Sequence, residues 1–309
     1  MQINNYGGSD VISINDNVPI PKVPPTKVLV EVKASGVNPV DWKICEGYFQ
    51  QMVPLEFPTT LGTDFSGIIK ELGENASTDF NIGDEVYGQA SVLSGGSGSF
   101  AELVLTNIDS IGPKPKTLNP IEASGLPLVG VSAWQALVEN IGLSKNQKIL
   151  IHGGAGGIGS IAIQLAKHLG AYVATTVKSK DKEFVRQVGA DEIVDYTTQS
   201  FDDILQDYDA ALDTVGGETY RKSFKVLKNN GTIVSMLEQP DSNLMNQYGI
   251  KAIFQFTETT NERLSKLARW IDQDNIKVNI EKIFPLAETA KALDYQKDSH
   301  PRGKLVITM

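Results

Sequence analysis

The chain has 309 residues, of which 41% are hydrophobic and 21% charged, enough for two domains with sizeable cores. A net charge of −9 disfavours nucleic acid and anionic membranes as partners, while leaving room for a local basic patch that holds a phosphate. The single cysteine, Cys45, excludes an internal disulfide and a four-thiolate zinc site.

The first residues show no basic stretch followed by an apolar one, so no signal peptide is expected. No apolar run approaches the roughly 18 residues of a membrane span, and a soluble cytoplasmic protein is expected. The first third of the chain reads as short strands punctuated by glycine and proline. They are "KVLVEVKAS" (27–35), "FSGIIKEL" (65–72), "DEVYG" (84–88) and "FAELVL" (100–105), with "GGSG" (95–98) as a loop. This part is expected to form a small β-barrel. "PKPKTLNP" (113–120) reads as a linker, because its prolines break helices and supply no strand donors.

Strand and helix then alternate. "KILIH" (148–152) is a strand, followed by a helix with Ile158, Ile161, Leu165 and Leu169 spaced at three and four. Further strands are expected at 171–176, 192–195, 209–215, 231–236 and 250–256, with helical segments between the first five of these six strands. The rhythm predicts an α/β fold with a doubly wound parallel sheet of six strands, the count of a dinucleotide-binding domain. "NERLSKLARWIDQ" (261–273) predicts a helix buried through Leu264, Leu267, Ala268 and Ile271. "VNIEKIFPL" and "GKLVITM" read as strands beyond the six, returning to complete the first domain.

The loop "HGGAGGIG" (152–159) stands between a strand and a helix, with Gly153, Gly156 and Gly159 at a spacing of three. Unpaired backbone N–H groups and the positive end of the helix dipole meet there, and together they suit a pyrophosphate. Gly153, Ala155, Gly156, Gly157, Ile158 and Gly159 are therefore expected to bind a dinucleotide. A triphosphate P-loop fits poorly, because Ser160 and Ile161 stand where its lysine and hydroxyl residue would be. The second strand runs into "TTVKSKDK", placing Lys178 where an NAD site usually has an acid, with Lys180 and Lys182 behind it. Lysines attract a 2′-phosphate that a carboxylate would repel, so NADPH is expected. Asp181 in this run is read as a cap for the next helix.

With these residues in place, the chain resembles the medium-chain dehydrogenase/reductase superfamily, specifically its zinc-independent quinone oxidoreductase (zeta-crystallin-like) branch. The match rests on "ASGVNPVDWK" (34–43), "LGTDFSG" (61–67), "GDEVYG" (83–88), "GSFAEL" (98–103), "LPLVGVSAWQAL" (126–137), "HGGAGGIG", "GAD" (189–191) and "RGKLVI" (302–307). The resemblance implies a GroES-like catalytic domain from residues 1–118 and 260–309, around a Rossmann domain of residues 119–259. It also implies hydride transfer from NADPH to a small-molecule quinone or α,β-unsaturated carbonyl. A homodimer through the Rossmann-domain edge strands is expected by the same resemblance. Enoyl thioester reduction and a non-catalytic, crystallin-type NADPH-binding role are the alternatives.

By resemblance, Asn38, Asp41, Tyr48 and Thr63 serve catalysis. Asn38 offers its amide to a carbonyl, and Tyr48 is either a proton donor, a stacking surface or a packed aromatic. Asp41 is either chemical or a loop cap. Lys43 either reaches the site or lies at the surface. Gly130 and Ser132 match positions near the nicotinamide, Leu237 lies in a loop that passes it, and Thr176, Lys178 and Tyr196 match positions around the adenosine and its 2′-phosphate. Phe254 and Phe256 either close the pocket or belong to the core. Zinc-dependent relatives have a cysteine where this chain has Asn38 and a histidine where it has Thr63. The three histidines, His152, His168 and His300, form no ligand set, so no metal is expected.

Overall fold

The computed structural model of the chain describes residues 1–76 and 79–309. It divides into two compact units, Met1–Leu128 with Thr259–Met309, and Val129–Glu258. The boundary falls ten residues later than the linker prolines suggest. Asn119 and Glu122 cap a short helix, Pro120–Ser124, by bonding each other's backbone N–H at 3.0 Å. That helix packs on the first unit's strands, and Ser66 donates to the Pro120 carbonyl at 2.5 Å.

The main sheet of the first unit and its helix include, in chain order, β1 (Lys27–Val37), α1 (Pro39–Cys45), β2 (Asp64–Leu72), β3 (Glu85–Gln89), β4 (Leu103–Asn107) and β5 (Ile111–Pro113). Alternate residues of β1 and β2 bury Val28, Val30, Val32, Phe65 and Ile69 in one core with Val86 and Val104. Each such aliphatic side chain stabilises by about 1.5–3 kcal/mol relative to an exposed one. Short strands at Gln2–Ile3, Ile12–Ser13 and Thr59–Thr60 form a separate three-stranded sheet.

The second unit is the parallel sheet. Its strands are β6 (Lys148–His152), β7 (Tyr172–Val177), β8 (Glu192–Asp195), β9 (Tyr208–Asp213), β10 (Leu227–Ser235) and β11 (Lys251–Phe254). They lie in the order β8-β7-β6-β9-β10-β11, the doubly wound arrangement of a dinucleotide-binding sheet. Helices α2 (Gly157–His168), α3 (Lys182–Gln187) and α4 (Gly217–Val226) occupy the crossovers after β6, β7 and β9. Leu150, Ala174, Ala211 and Ile233 from four strands meet Phe224 of α4 in the core. Asp181 holds the position before α3, yet its side chain makes no cap hydrogen bond, unlike the expectation.

The chain then returns to the first unit through α5 (Asn261–Asp274), β12 (Ile280–Pro285), α6 (Thr289–Ser299) and β13 (Lys304–Thr308). Leu264, Leu267, Ala268 and Ile271 are the buried face of α5, as their spacing predicts. β13 pairs antiparallel with β1, Leu305 opposite Val37 and Thr308 opposite Ala34, and parallel with β12. The split domain expected from the two ends of the chain is thereby closed by strand pairing.

Candidate functional site

In the first unit, the expected catalytic residues Asn38, Asp41 and Thr63 converge on a buried polar cluster. Asn38 precedes α1, and its backbone N–H donates to Asp41 Oδ2 at 2.7 Å. Asp41 therefore does cap α1, and its other oxygen, Oδ1, accepts from the Thr63 hydroxyl at 2.7 Å. The Asn38 amide donates from Nδ2 to Asp64 Oδ2 at 2.9 Å. Asp64, which opens β2, also accepts from Gln89 Nε2 at 2.8 Å and from the Leu128 N–H at 3.0 Å.

The cation of the cluster is Lys304, at the start of β13. Its ammonium donates to the Val37 carbonyl at 2.7 Å and to the Asn38 amide oxygen. Asn38, Asp41 and Asp64 have no solvent exposure, and Lys304 is buried with them. Burial lowers the Lys304 ammonium from its ordinary range, with Asp64 and Asp41 opposing the shift. Burial raises Asp64, with Lys304 and the amide donors opposing. Asp41 is pushed up to about 7, first by burial. Burial thus raises both carboxyls beside the one ammonium, and Asp41 accepts fewer hydrogen bonds than Asp64.

This arrangement differs from the expectation for Asn38. Its amide does not project as a free donor. It bridges Lys304 and Asp64. Lys304, Asp64 and Gln89 were not among the expected site residues. Tyr48 stands apart from the cluster, 65% exposed, its ring edge-on to Trp42 at 5.6 Å. Lys43 lies over the same Trp42 ring at 5.5 Å.

In the second unit, the glycine loop runs from the end of β6 to α2. Gly153 has φ +69°, a left-handed conformation natural to glycine. A Cβ on Gly154 would meet Thr175 Oγ1 at 2.0 Å, and one on Gly159 the Gly153 carbonyl at 2.3 Å. Those two glycines are dictated by packing. Gly156 differs, since a Cβ there would meet only the Gly153 carbonyl, at 3.3 Å. Gly156 is the N-cap of the twelve-residue helix α2, and no side chain caps that end. The first N–H groups, from Gly157, Ile158 and Gly159, are thus available to an anion beside the half-buried Ala155.

The end of β7 carries the basic patch. Lys178 is exposed and, among the described residues, forms no ion pair. Lys182 pairs with Asp195 at 3.1 Å. Hydroxyls of Ser179 and Thr197 hold the Asp195 carboxyl well below the usual carboxylate range. Tyr196 follows it, half exposed. The Thr176 hydroxyl, expected near the adenosine, turns inward to His152 Nδ1 at 3.0 Å. His152 Nε2 faces Ser223 Oγ at 2.9 Å, and Ser223 gives its own hydrogen to the Thr219 carbonyl. His152 therefore donates from Nε2 and accepts Thr176's hydrogen at Nδ1. Burial lowers His152 to about 4, so it is neutral.

Ser132 likewise turns its hydroxyl to Thr257 at 2.7 Å, two residues on from the buried Gly130. Leu237 is exposed at the tip of the loop after β10. Ser235 Oγ accepts from the N–H groups of Leu237 and Glu238, at 3.1 and 3.0 Å, while donating to Asp213 at 2.7 Å. Phe254 is partly exposed and Phe256 largely so, which excludes both from the core.

A GroES-like β unit completed by the chain's end and a six-stranded doubly wound sheet in one chain define the medium-chain dehydrogenase/reductase architecture. The model of the alcohol dehydrogenase GroES-like domain matches residues 24–116, and that of the zinc-binding dehydrogenase matches residues 188–307. The chain belongs to the medium-chain dehydrogenase/reductase superfamily, in its quinone oxidoreductase branch. It is 34% identical, over 98% of its length and 77% of the relative's, to the chloroplastic NADPH-dependent alkenal/one oxidoreductase of Arabidopsis thaliana. The same figures hold for 2-methylene-furan-3-one reductase of Solanum lycopersicum. The solved quinone oxidoreductase of Coxiella burnetii superposes with a TM-score of 0.89 at 32% identity, covering 100% of this chain and 98% of that one.

Proposed function

We propose that the protein is an NADPH-dependent reductase that delivers a hydride to a quinone or an α,β-unsaturated carbonyl without zinc. The observation that carries the reading is the pairing of Lys182 with Asp195, which leaves Lys178 beside Tyr196 to meet a 2′-phosphate. The uncapped start of α2, with Gly156, Gly157, Ile158 and Gly159, takes the pyrophosphate. NADPH supplies the hydride when bound. Ser235 and Asp213 fix the loop that carries Leu237 toward the nicotinamide end. Gly130 and Ser132 act there through packing, the Ser132 hydroxyl being tied to Thr257.

The donor set of the first unit suits this chemistry and does not suit zinc. Asn38 and Thr63 replace the cysteine and histidine of zinc-dependent relatives, and both carboxylates of the cluster already accept hydrogen bonds. Hydride addition to an enone builds charge on oxygen, and a hydroxyl donor such as Thr63 stabilises it. Asn38 and Asp41 position that donor. Tyr48, exposed and edge-on to Trp42, offers a face for a flat acceptor.

The names of the relatives support the acceptor class, being reductases of alkenals, a methylene-furanone and quinones. NADPH oxidation against a quinone panel and an enone panel tests the reading, with turnover expected in one or both. Tight NADPH binding with no turnover on any acceptor would favour a crystallin-type binding protein. A homodimer through β11, an edge strand that ends in Phe254 with Phe256 just beyond, belongs to the same proposal. Sedimentation at the monomer mass would remove it. A reducing, cytoplasmic setting accords with a lone buried thiol at Cys45.

A further inference from the structure

We propose that the proton on Asp41 sets the hydrogen-bonding sense of Thr63, making the hydroxyl an acceptor when Asp41 is ionised and an outward donor when Asp41 is protonated. The inference rests on the reading that Thr63 serves the carbonyl oxygen of the acceptor. It follows from which atoms around Asp41 can only donate. Asp41 Oδ2 faces the Asn38 backbone N–H at 2.7 Å, a group with no lone pair to offer. A proton on Asp41 therefore resides on Oδ1. Oδ1 faces Thr63 Oγ1 at 2.7 Å, and a hydroxyl oxygen both donates and accepts.

With Asp41 ionised, the Thr63 hydrogen is directed at Oδ1, and only a lone pair is left to face the other way. A lone pair repels the oxygen on which negative charge develops. With Asp41 protonated, Oδ1 donates to Thr63 and the hydroxyl hydrogen turns outward. The same 2.7 Å separation serves both states, so no atom heavier than hydrogen has to move. Thr63 retains 4% exposure where Asp41 has none, so Thr63 is the outer residue of the pair.

The environment places this switch within the working range. Burial brings the Asp41 carboxyl to about 7; the Thr63 and Asn38 hydrogen bonds pull it down, Asp64 on β2 pushes it up, and Lys304 on β13 pulls it down. On α1 itself, Lys43 lies over Trp42. On α6, which packs against α1, Lys297 bonds Glu46 and Asp294 accepts from Ser9.

The test is the pH profile of kcat with an enone at saturating NADPH, between about pH 6 and about pH 9. The wild type is expected to fall at least about tenfold across this range, with its midpoint near the Asp41 value. In Asp41→Asn the Asn38 N–H still demands an acceptor, so the amide oxygen faces it and the amide nitrogen faces Thr63. That variant locks the hydroxyl outward, and its fall shrinks to less than about twofold whatever its absolute rate. Thr63→Ser keeps the limb, and Thr63→Val gives a low rate without it. If Asp41→Asn retains the full limb while Thr63→Val is impaired, the switch is wrong and the site reading stands. A Thr63→Val enzyme as active as wild type overturns both. Should Asp41→Asn fail to fold, the Thr63→Ser and Thr63→Val profiles decide alone, since a limb that persists in Thr63→Val overturns the switch.

Discussion

The ammonium of Lys304 holds the amide oxygen of Asn38, 266 residues away in the chain. That contact fixes which end of the amide meets Asp64. It also places one buried positive charge beside two buried carboxyls. Removing it leaves the Asp64 charge without its cation and the Asn38 oxygen without its donor. Lys304→Met is therefore expected to destabilise folding by about 3–5 kcal/mol in urea denaturation. A loss below about 1 kcal/mol would show that the buried ammonium contributes nothing net.

Asp41 links stability to pH in a direction opposite to an ordinary paired carboxylate. Its folded value, about 7, lies above the ordinary aspartate value of 3.8, so the folded state binds the proton more tightly. The stabilisation is complete below the unfolded value and is lost as pH rises through the folded one. Between about pH 5 and about pH 8.5 the wild type should lose about 1–3 kcal/mol more than Asp41→Asn. Urea midpoints for the two proteins at both pH values measure this, and parallel losses would refute it.

The glycine loop separates into packing and binding positions. Ala at Gly154 or Gly159 drives a Cβ into Thr175 or the Gly153 carbonyl, and a lowered melting temperature is expected. Ala at Gly156 has φ −77° and room enough to fold. It crowds the face proposed for the pyrophosphate, so NADPH affinity should fall about tenfold or more with the melting temperature nearly kept. Equal thermal losses at all three positions would argue against the phosphate role.

Lys178→Ala should weaken NADPH by about 10- to 100-fold, the loss of one charge-assisted hydrogen bond, while NADH binding changes little. The ratio of the two dissociation constants is the readout. An unchanged ratio would mean that Lys178 is only a solvated side chain. Lys182→Ala is a useful contrast, because it frees Asp195 to repel the same phosphate.

Much of this was legible in the residues because the signals were local. A strand, five glycines and an amphipathic helix lie within 21 consecutive residues, 148–168, and they read as a dinucleotide loop. The capped helix Pro120–Ser124 was also legible through Asn119, Pro120 and Glu122, a cap, a first-turn proline and a third-position acid, but the prolines drew it into the linker. Hydroxyl directions were not legible. Thr176 and Ser132 stand where cofactor contacts were expected, yet each bonds a partner that only the folded sheet supplies, His152 and Thr257. Lys304 had a faint signal, a lysine heading a strand whose next residues are apolar on both faces. Such a strand is central, so its lysine must be buried and needs an acid. Naming Asp64 as that acid requires the pairing of β13 with β1 and of β1 with β2.

That pairing has a consequence for how the chain matures. Residues 129–258 form a continuous unit, and all six of its strands are synthesised before β12 and β13 leave the ribosome. The first unit waits longer. Until Lys304 emerges, β1 is paired along residues 34–36 with β2 alone and lacks its second neighbour, and Asp64 lacks its counter-charge. The nascent chain thus carries its first unit unfinished, and the closing of one five-residue strand completes both the sheet and the charge balance of the cluster.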